Sequence, residues 1–189
     1  MKTFFGERRK FSKGTFKLDL DYTLDEVHDT LALFKPEPTP ESFLDKFSYA
    51  KAGGEMLEDM LANSLGWRIL SGRLAKIFSN CKNTDDIELL SLPEKVLRCH
   101  PQLKEYRVLG IKKRVTCVNY EESEILWNSD HTQILSFRHC VLNQGDIPDD
   151  LDVFLIAEYP VFPIISAELA MKIAELHPTG FVYEKIVAV

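Results

Sequence analysis

The side chains able to do chemistry are few in this sequence. Two adjacent Cys/His pairs occur, Cys99-His100 and His139-Cys140. A thiolate–imidazole couple needs contact within about 3 Å, yet neighbours along a strand point to opposite faces. Neither pair is a site alone, so the two would have to meet in space, either as a nucleophile and base or as four ligands converging on zinc. The plainer reading is of buried thiols and surface imidazoles, because free cysteine packs as a small hydrophobe. Asp19 and Asp21 share one face of an extended segment. They read as half of a cation site or as the solvated face of an amphipathic strand. Phosphate-cradling glycine loops and Gly-x-Ser-x-Gly elbows are absent. The residues therefore predict no enzyme, no metal and no cofactor, and binding another protein is the leading function.

Charge is the other resource. The formal net charge is −6, with a pI near 5.4. Phosphate recognition needs a basic surface, so the charge balance argues against nucleic acid as a partner of the whole chain. Two acidic knots stand out: Asp146, Asp149, Asp150 and Asp152 around Pro148, and Glu121, Glu122 and Glu124 in a turn. Against them, residues 95–114 carry Lys95, Arg98, Lys104, Arg107, Lys112, Lys113 and Arg114. Turns are often polar simply because they are solvated. The functional alternative is electrostatic docking onto a partner, with the seven carboxylates as the contact residues and all four Asp expected to be exposed.

These residues must be positioned by a fold. With 189 residues and a hydrophobic fraction of 45%, the chain can bury a core, and its length predicts a single domain spanning 1–189. No apolar run approaches a membrane span, and none follows the basic N-terminus as in a secretory signal. Four cysteines without a Cys-x-x-Cys spacing read as reduced thiols. Together these predict a soluble cytosolic protein.

Residues 1–22 read as extended, with Phe16, Leu18 and Leu20 alternating. Thr23 and Glu26 form a capping box opening a helix with Leu24, Val27, Leu31 and Phe34 on one face, stopped by Pro36, Pro38 and Pro40. A second helix is expected from Thr39-Pro40, with Phe43, Leu44 and Phe47, up to Gly53-Gly54. A third carries Met56, Leu57, Met60, Leu61 and Leu65, ending at Gly66. Residues 1–65 are thus expected to be mostly helical, and 66–189 to form an α+β core. In that core Trp67–Leu70 reads as a strand and Ser71 as the cap of a helix to residue 80. Strands follow at 87–92, 106–119, 133–142, 153–159 and 161–165; Ser166 caps a further helix, and a last strand covers 181–187. The expected fold class is α+β: a mixed, largely antiparallel sheet with packed helices and a helical N-terminal portion. Ile69-Leu70-Ser71-Gly72-Arg73-Leu74-Ala75 echoes Ile164-Ile165-Ser166-Ala167-Glu168-Leu169-Ala170. Any strand running into a capped helix looks like this; the alternative is two related β–α units.

From Trp67 to Val187 the order of these units resembles a family of bacterial immunity proteins of polymorphic toxin systems. The resemblance rests on Trp67 through Phe78, on Val115-Thr116-Cys117-Val118-Asn119-Tyr120-Glu121-Glu122-Ser123, on Val153 to Tyr159, on Ile164-Ile165-Ser166-Ala167-Glu168-Leu169, and on Thr179-Gly180-Phe181. The sequence departs from the family pattern at Asn119, where an Asp is expected, and at Leu109-Gly110, in the region of a usual Asn. The resemblance implies stoichiometric binding of a toxin protein by occlusion, with no catalytic residues to carry over. Two other classes remain open: an enzyme built on Cys99, His139 and Cys140, and a structural or regulatory module that self-associates.

Overall fold

The computed structural model describes residues 2–21, 33–40 and 42–189. Strands make up 41% of it and helical turns 21%. The fold is therefore mainly β with several sheets, which corrects the α+β expectation. The helix expected from Thr23 lies largely outside the described residues. The other two N-terminal helices are replaced by strands. The chain opens with β1 (Phe4–Lys10) and β2 (Lys17–Asp21). Phe43–Lys46 makes a single 3-10 turn and runs into β3 (Ser48–Gly53), then β4 (Met60–Asn63).

The reason is sheet pairing. β3 is held antiparallel to β2, and Met60 and Leu61 pair with Leu70 and Ile69 of β5 (Arg68–Leu70). Met60 and Leu61 point to opposite faces that are both buried. A strand buried on both sides shows no polar alternation, and its apolar run imitates a helix. Gly66 belongs to the β4–β5 turn at a positive φ of 70°, and is not a helix stop. Residue 65 lies in that turn, within one sheet.

The rest runs α1 (Gly72–Phe78), β6 (Ile87–Ser91), α2 (Glu94–Cys99), β7 (Arg107–Ile111), β8 (Arg114–Val115), β9 (Glu124–Trp127), β10 (Ile134–His139), β11 (Val141–Leu142), β12 (Val153–Ile156), β13 (Tyr159–Ser166), α3 (Ala167–Ala174) and β14 (Gly180–Ala188). The single strand expected over 106–119 is two, because the chain crosses from one sheet to the other at Lys112-Lys113. One six-stranded sheet has the order β3-β2-β4-β5-β7-β6 and the other β11-β14-β1-β13-β12-β8; β9 and β10 form a separate hairpin.

The two large sheets are built alike. β2 is parallel to β4 through Lys17↔Ala62 and Leu18↔Asn63, as β8 is to β12 through Arg114↔Leu155 and Val115↔Ile156. β4, β5, β7 and β6 then pair antiparallel in turn, as do β12, β13, β1 and β14. A helix follows the second strand of each hairpin. The echo seen in the sequence is thus a repeat of architecture: residues 17–111 form one unit, and residues 114–188, completed by β1, form the other.

An aspartate locks each unit. Asp59 accepts the Ser71 hydroxyl at 2.7 Å, and Asp152 accepts the Ser166 hydroxyl at 2.7 Å. Each also reaches across to the other unit. Asp59 accepts the backbone N–H of Thr179, beyond α3, at 3.0 Å, and Asp152 that of Lys82, beyond α1, at 2.8 Å. Leu74, Ala75 and Phe78 of α1 and Leu169, Ala170 and Ile173 of α3 share a core between the sheets with Met60, Leu70, Val153 and Ile165. The far face of each sheet carries its own core. Trp67, Ile69 and Val108 pack with Phe43, Leu44 and Phe47 on one; Phe154, Ile156 and Ile164 pack with Val118, Leu142, Ile147 and Leu151 on the other. Trp67 is fully buried, with Phe47 edge-on at 4.8 Å. Among the described residues no helix is long and apolar enough to cross a membrane.

Candidate protein-binding surface

The Cys/His pairs sit apart. Cys99 is exposed at the end of α2, where His100 stands edge-on to Phe16 at 5.3 Å. Cys140 is buried with Cys117 in the core under β12, and burial pushes both thiols up to about 12, with Glu158 adding to the effect. Such thiols stay protonated and are poor nucleophiles. Among the described residues no three His, Cys, Asp or Glu side chains converge to hold a metal ion. Asp19 pairs with Lys17 at 3.1 Å; the side chain of Asp21 lies outside the described residues.

Five of the seven basic residues of the stretch 95–114, Lys95, Arg98, Arg107, Lys112 and Arg114, are engaged internally. Lys95 donates to the Asp45 carbonyl at 2.8 Å and lies over the Tyr49 ring at 5.5 Å. Arg98 pairs with Glu94 at 2.7 Å, Lys112 with Glu88 at 3.0 Å, and Arg114 donates to the Phe34 carbonyl.

The acidic residues behave differently. Residues 117–123 run beside residues 141–143: Asn119 donates its N–H to the Val141 carbonyl at 2.9 Å, and Asn143 to that of Cys117 at 2.8 Å. The chain beyond Asn143 continues into the 3-10 turn Gln144–Asp146 and then Pro148. The two acidic knots therefore extend from one strand pair, on the outer layer over β12. Asn119 shapes the first knot, since its side-chain oxygen accepts the N–H groups of Glu121 and Glu122, both at 3.1 Å. This is the turn-forming role open to Asp and Asn alike, so the departure from the family pattern is conservative. Glu121, Glu122 and Glu124 are exposed. In the second knot Ile147 and Leu151 are buried anchors, which hold Asp146, Asp149 and Asp150 outward in exposed positions. Asp149 pairs with Lys2.

Asp152 is the exception, and here the expectation of exposure is wrong. It is 1% exposed, with Lys82 and Ser166 as partners and the Lys82 ammonium at 3.7 Å. It immediately precedes β12, opposite the Ser166 cap, and burial of a carboxylate is tolerated where donors meet it. It is a structural residue and leaves the contact set.

One signal was in the sequence and was missed. Residues 115–171 hold ten carboxylates and a single Lys or Arg, Arg138. The acidity of the whole chain resides in this one stretch, which builds the outer layer and the hairpin of the second unit.

A family model, the Imm11 immunity protein family, matches residues 22–188. The chain belongs to the Imm11 family. The match reaches back from the 67–187 of the resemblance through β4 and β3 to the residue after β2, so it takes in nearly all of the first unit as well as the second. Membership points to an immunity role and to a non-catalytic mode of action. No curated protein matches the chain.

Proposed function

We propose that this Imm11 protein binds a cognate bacterial toxin in the cytosol of the producing cell and neutralises it by stoichiometric occlusion, without catalysis, metal or cofactor. The observation that supports this most directly, beside family membership, is the outer layer of the second unit. It displays Glu121, Glu122, Glu124, Asp146, Asp149 and Asp150 outward, with only Lys2, among the described residues, paired to them, at Asp149. A surface of one sign steers an oppositely charged partner and raises its rate of encounter. The partner is therefore a toxin with a basic face.

The test replaces these six carboxylates by Gln or Asn, leaving Asp152 intact. Association with the cognate toxin, inactivated by mutation, is measured at two ionic strengths. Association should slow by about tenfold or more at low salt and by less at high salt, where the charges are screened. Dissociation and melting temperature should change little. Unchanged association at low salt would remove this face from the encounter, and failure of the native protein to bind the toxin would remove the function itself.

A further inference from the structure

The two units differ in how they finish the outer layer. In the first, the segment between β2 and β4 contributes Leu33, Phe43, Leu44 and Phe47, all buried. In the second, the corresponding segment between β8 and β12 raises the β9–β10 hairpin and leaves large apolar groups in solvent. Leu126 is 47% exposed and Leu135 48%. The hairpin is rooted by Ile125 and Phe137, which pack on the core under it, and Phe137 meets Tyr159 edge-on at 5.7 Å. By the alternation of a strand, Leu126 and Glu124 face away from that root. Leu126 stands across from Ser136 and Glu124 across from His139. Leu135 is the extra residue where the register shifts between Ile134 and Ser136.

Three properties make this outer face a docking surface. It is apolar at its centre, with both leucines about half exposed. It is fixed before binding, because the opposite face of the hairpin is held by Ile125 and Phe137 on the core and by Trp127, flanked by Tyr120, stacked at 6.3 Å, and His131, at 6.3 Å; a preorganised surface loses less freedom on association. It is also set in net negative charge: Glu121, Glu122, Glu124 and Asp130 lie in and around the hairpin, against the single cation Arg138 in β10. A desolvated apolar centre within a charged rim is the anatomy of a protein contact with localised binding energy. The two register shifts along the hairpin twist its edges and disfavour strand-to-strand pairing, so the partner seats on side chains and not on the open backbone.

We infer that the outer face of the β9–β10 hairpin, centred on Leu126 and Leu135, is the anchor of the toxin complex, taking an apolar patch bordered by Lys and Arg on the toxin. This rests on the immunity reading above and names where its binding energy is concentrated; the carboxylates govern encounter, and the leucines govern how long the complex lasts.

The experiment measures equilibrium binding of the inactivated toxin to the native protein, to Leu126→Ser/Leu135→Ser, and to two controls with similarly exposed side chains elsewhere, Met56→Ser and Met171→Ser, which are 44% and 62% exposed. The double variant should melt like the native protein and bind at least about thirtyfold more weakly, through faster dissociation; the controls should bind normally. Less than tenfold weakening in the double variant overturns the anchor while leaving the immunity function standing. Absence of binding by the native protein overturns both. Should the double variant fold poorly, a photoreactive residue at position 135 decides the matter: a crosslink to the toxin is expected, and a crosslink only to a second copy of this chain would reassign the face to self-association.

Discussion

Asp152 offers the sharpest test of the fold, because sequence reasoning and structure assign it opposite environments. Its carboxylate accepts the Lys82 N–H at 2.8 Å and the Ser166 hydroxyl at 2.7 Å, with the Lys82 ammonium at 3.7 Å. Hydrogen bonds to a charged group contribute about 1.5–3 kcal/mol each. Asp152→Ala deletes two and leaves the donors facing a void, so the loss is about 3–4 kcal/mol once incomplete additivity is allowed for. In a chain of this length each kcal/mol moves the melting temperature by about 2–4 °C, giving a fall of about 6–16 °C. Asp152→Asn keeps one acceptor, and the Ser166 hydroxyl can turn to accept from the new amide. It should cost about 1–2 kcal/mol. The paired aspartate supplies a comparison: Asp59→Ala removes the equivalent contacts to Ser71 and Thr179 and the Arg73 pair besides, and should cost at least as much. Thermal and urea unfolding measure all three. A shift under about 2 °C for Asp152→Ala would refute the lock between the units and return Asp152 to the exposed acidic turn.

Three further outcomes are expected. Burial disfavours the charged form of Asp59, but hydrogen bonds from Arg73, Ser71 and Thr179, with the Arg73 charge, outweigh it and hold the carboxyl below its usual range. A lowered folded pKa stabilises above the unfolded value of about 3.9 and stops doing so as pH falls through the folded value; the stability gap between the native protein and Asp59→Asn should therefore be full at pH 7 and shrink below about pH 4, and a gap independent of pH would contradict this. Of the four cysteines only Cys99 is exposed, so a thiol reagent at neutral pH should titrate one equivalent quickly and the remainder only in denaturant; a second fast equivalent would place Cys81, Cys117 or Cys140 at the surface. Trp67→Ala should cost about 3–5 kcal/mol, read by urea unfolding, whereas a near-native variant that fails to bind toxin would make Trp67 a contact residue.

Much of the second unit was legible because its elements carry local signals. Ser166 caps α3 by accepting the Leu169 N–H at 3.2 Å, and β12, β13 and β14 lie where β-rich apolar runs predicted them. The first unit misled for a physical reason. Phe43, Leu44 and Phe47 fit a helical stripe, and a single helical turn does form there, but the pairing of β3 with β2 takes the chain onward. β9 and α2 were not anticipated, being short and weakly patterned.

The charge content, the family pattern and the echo around Ser71 and Ser166 belong to the sequence by itself, because composition and local order do not depend on folding. Which carboxylates face a partner does depend on it. Asp150 and Asp152 differ by two positions and have the same side chain, yet one is exposed and the other buried. The difference arises because residues 82 and 166, distant in sequence, converge on Asp152 when the two units close around α1 and α3, and only donors brought together by that packing let a carboxylate leave water.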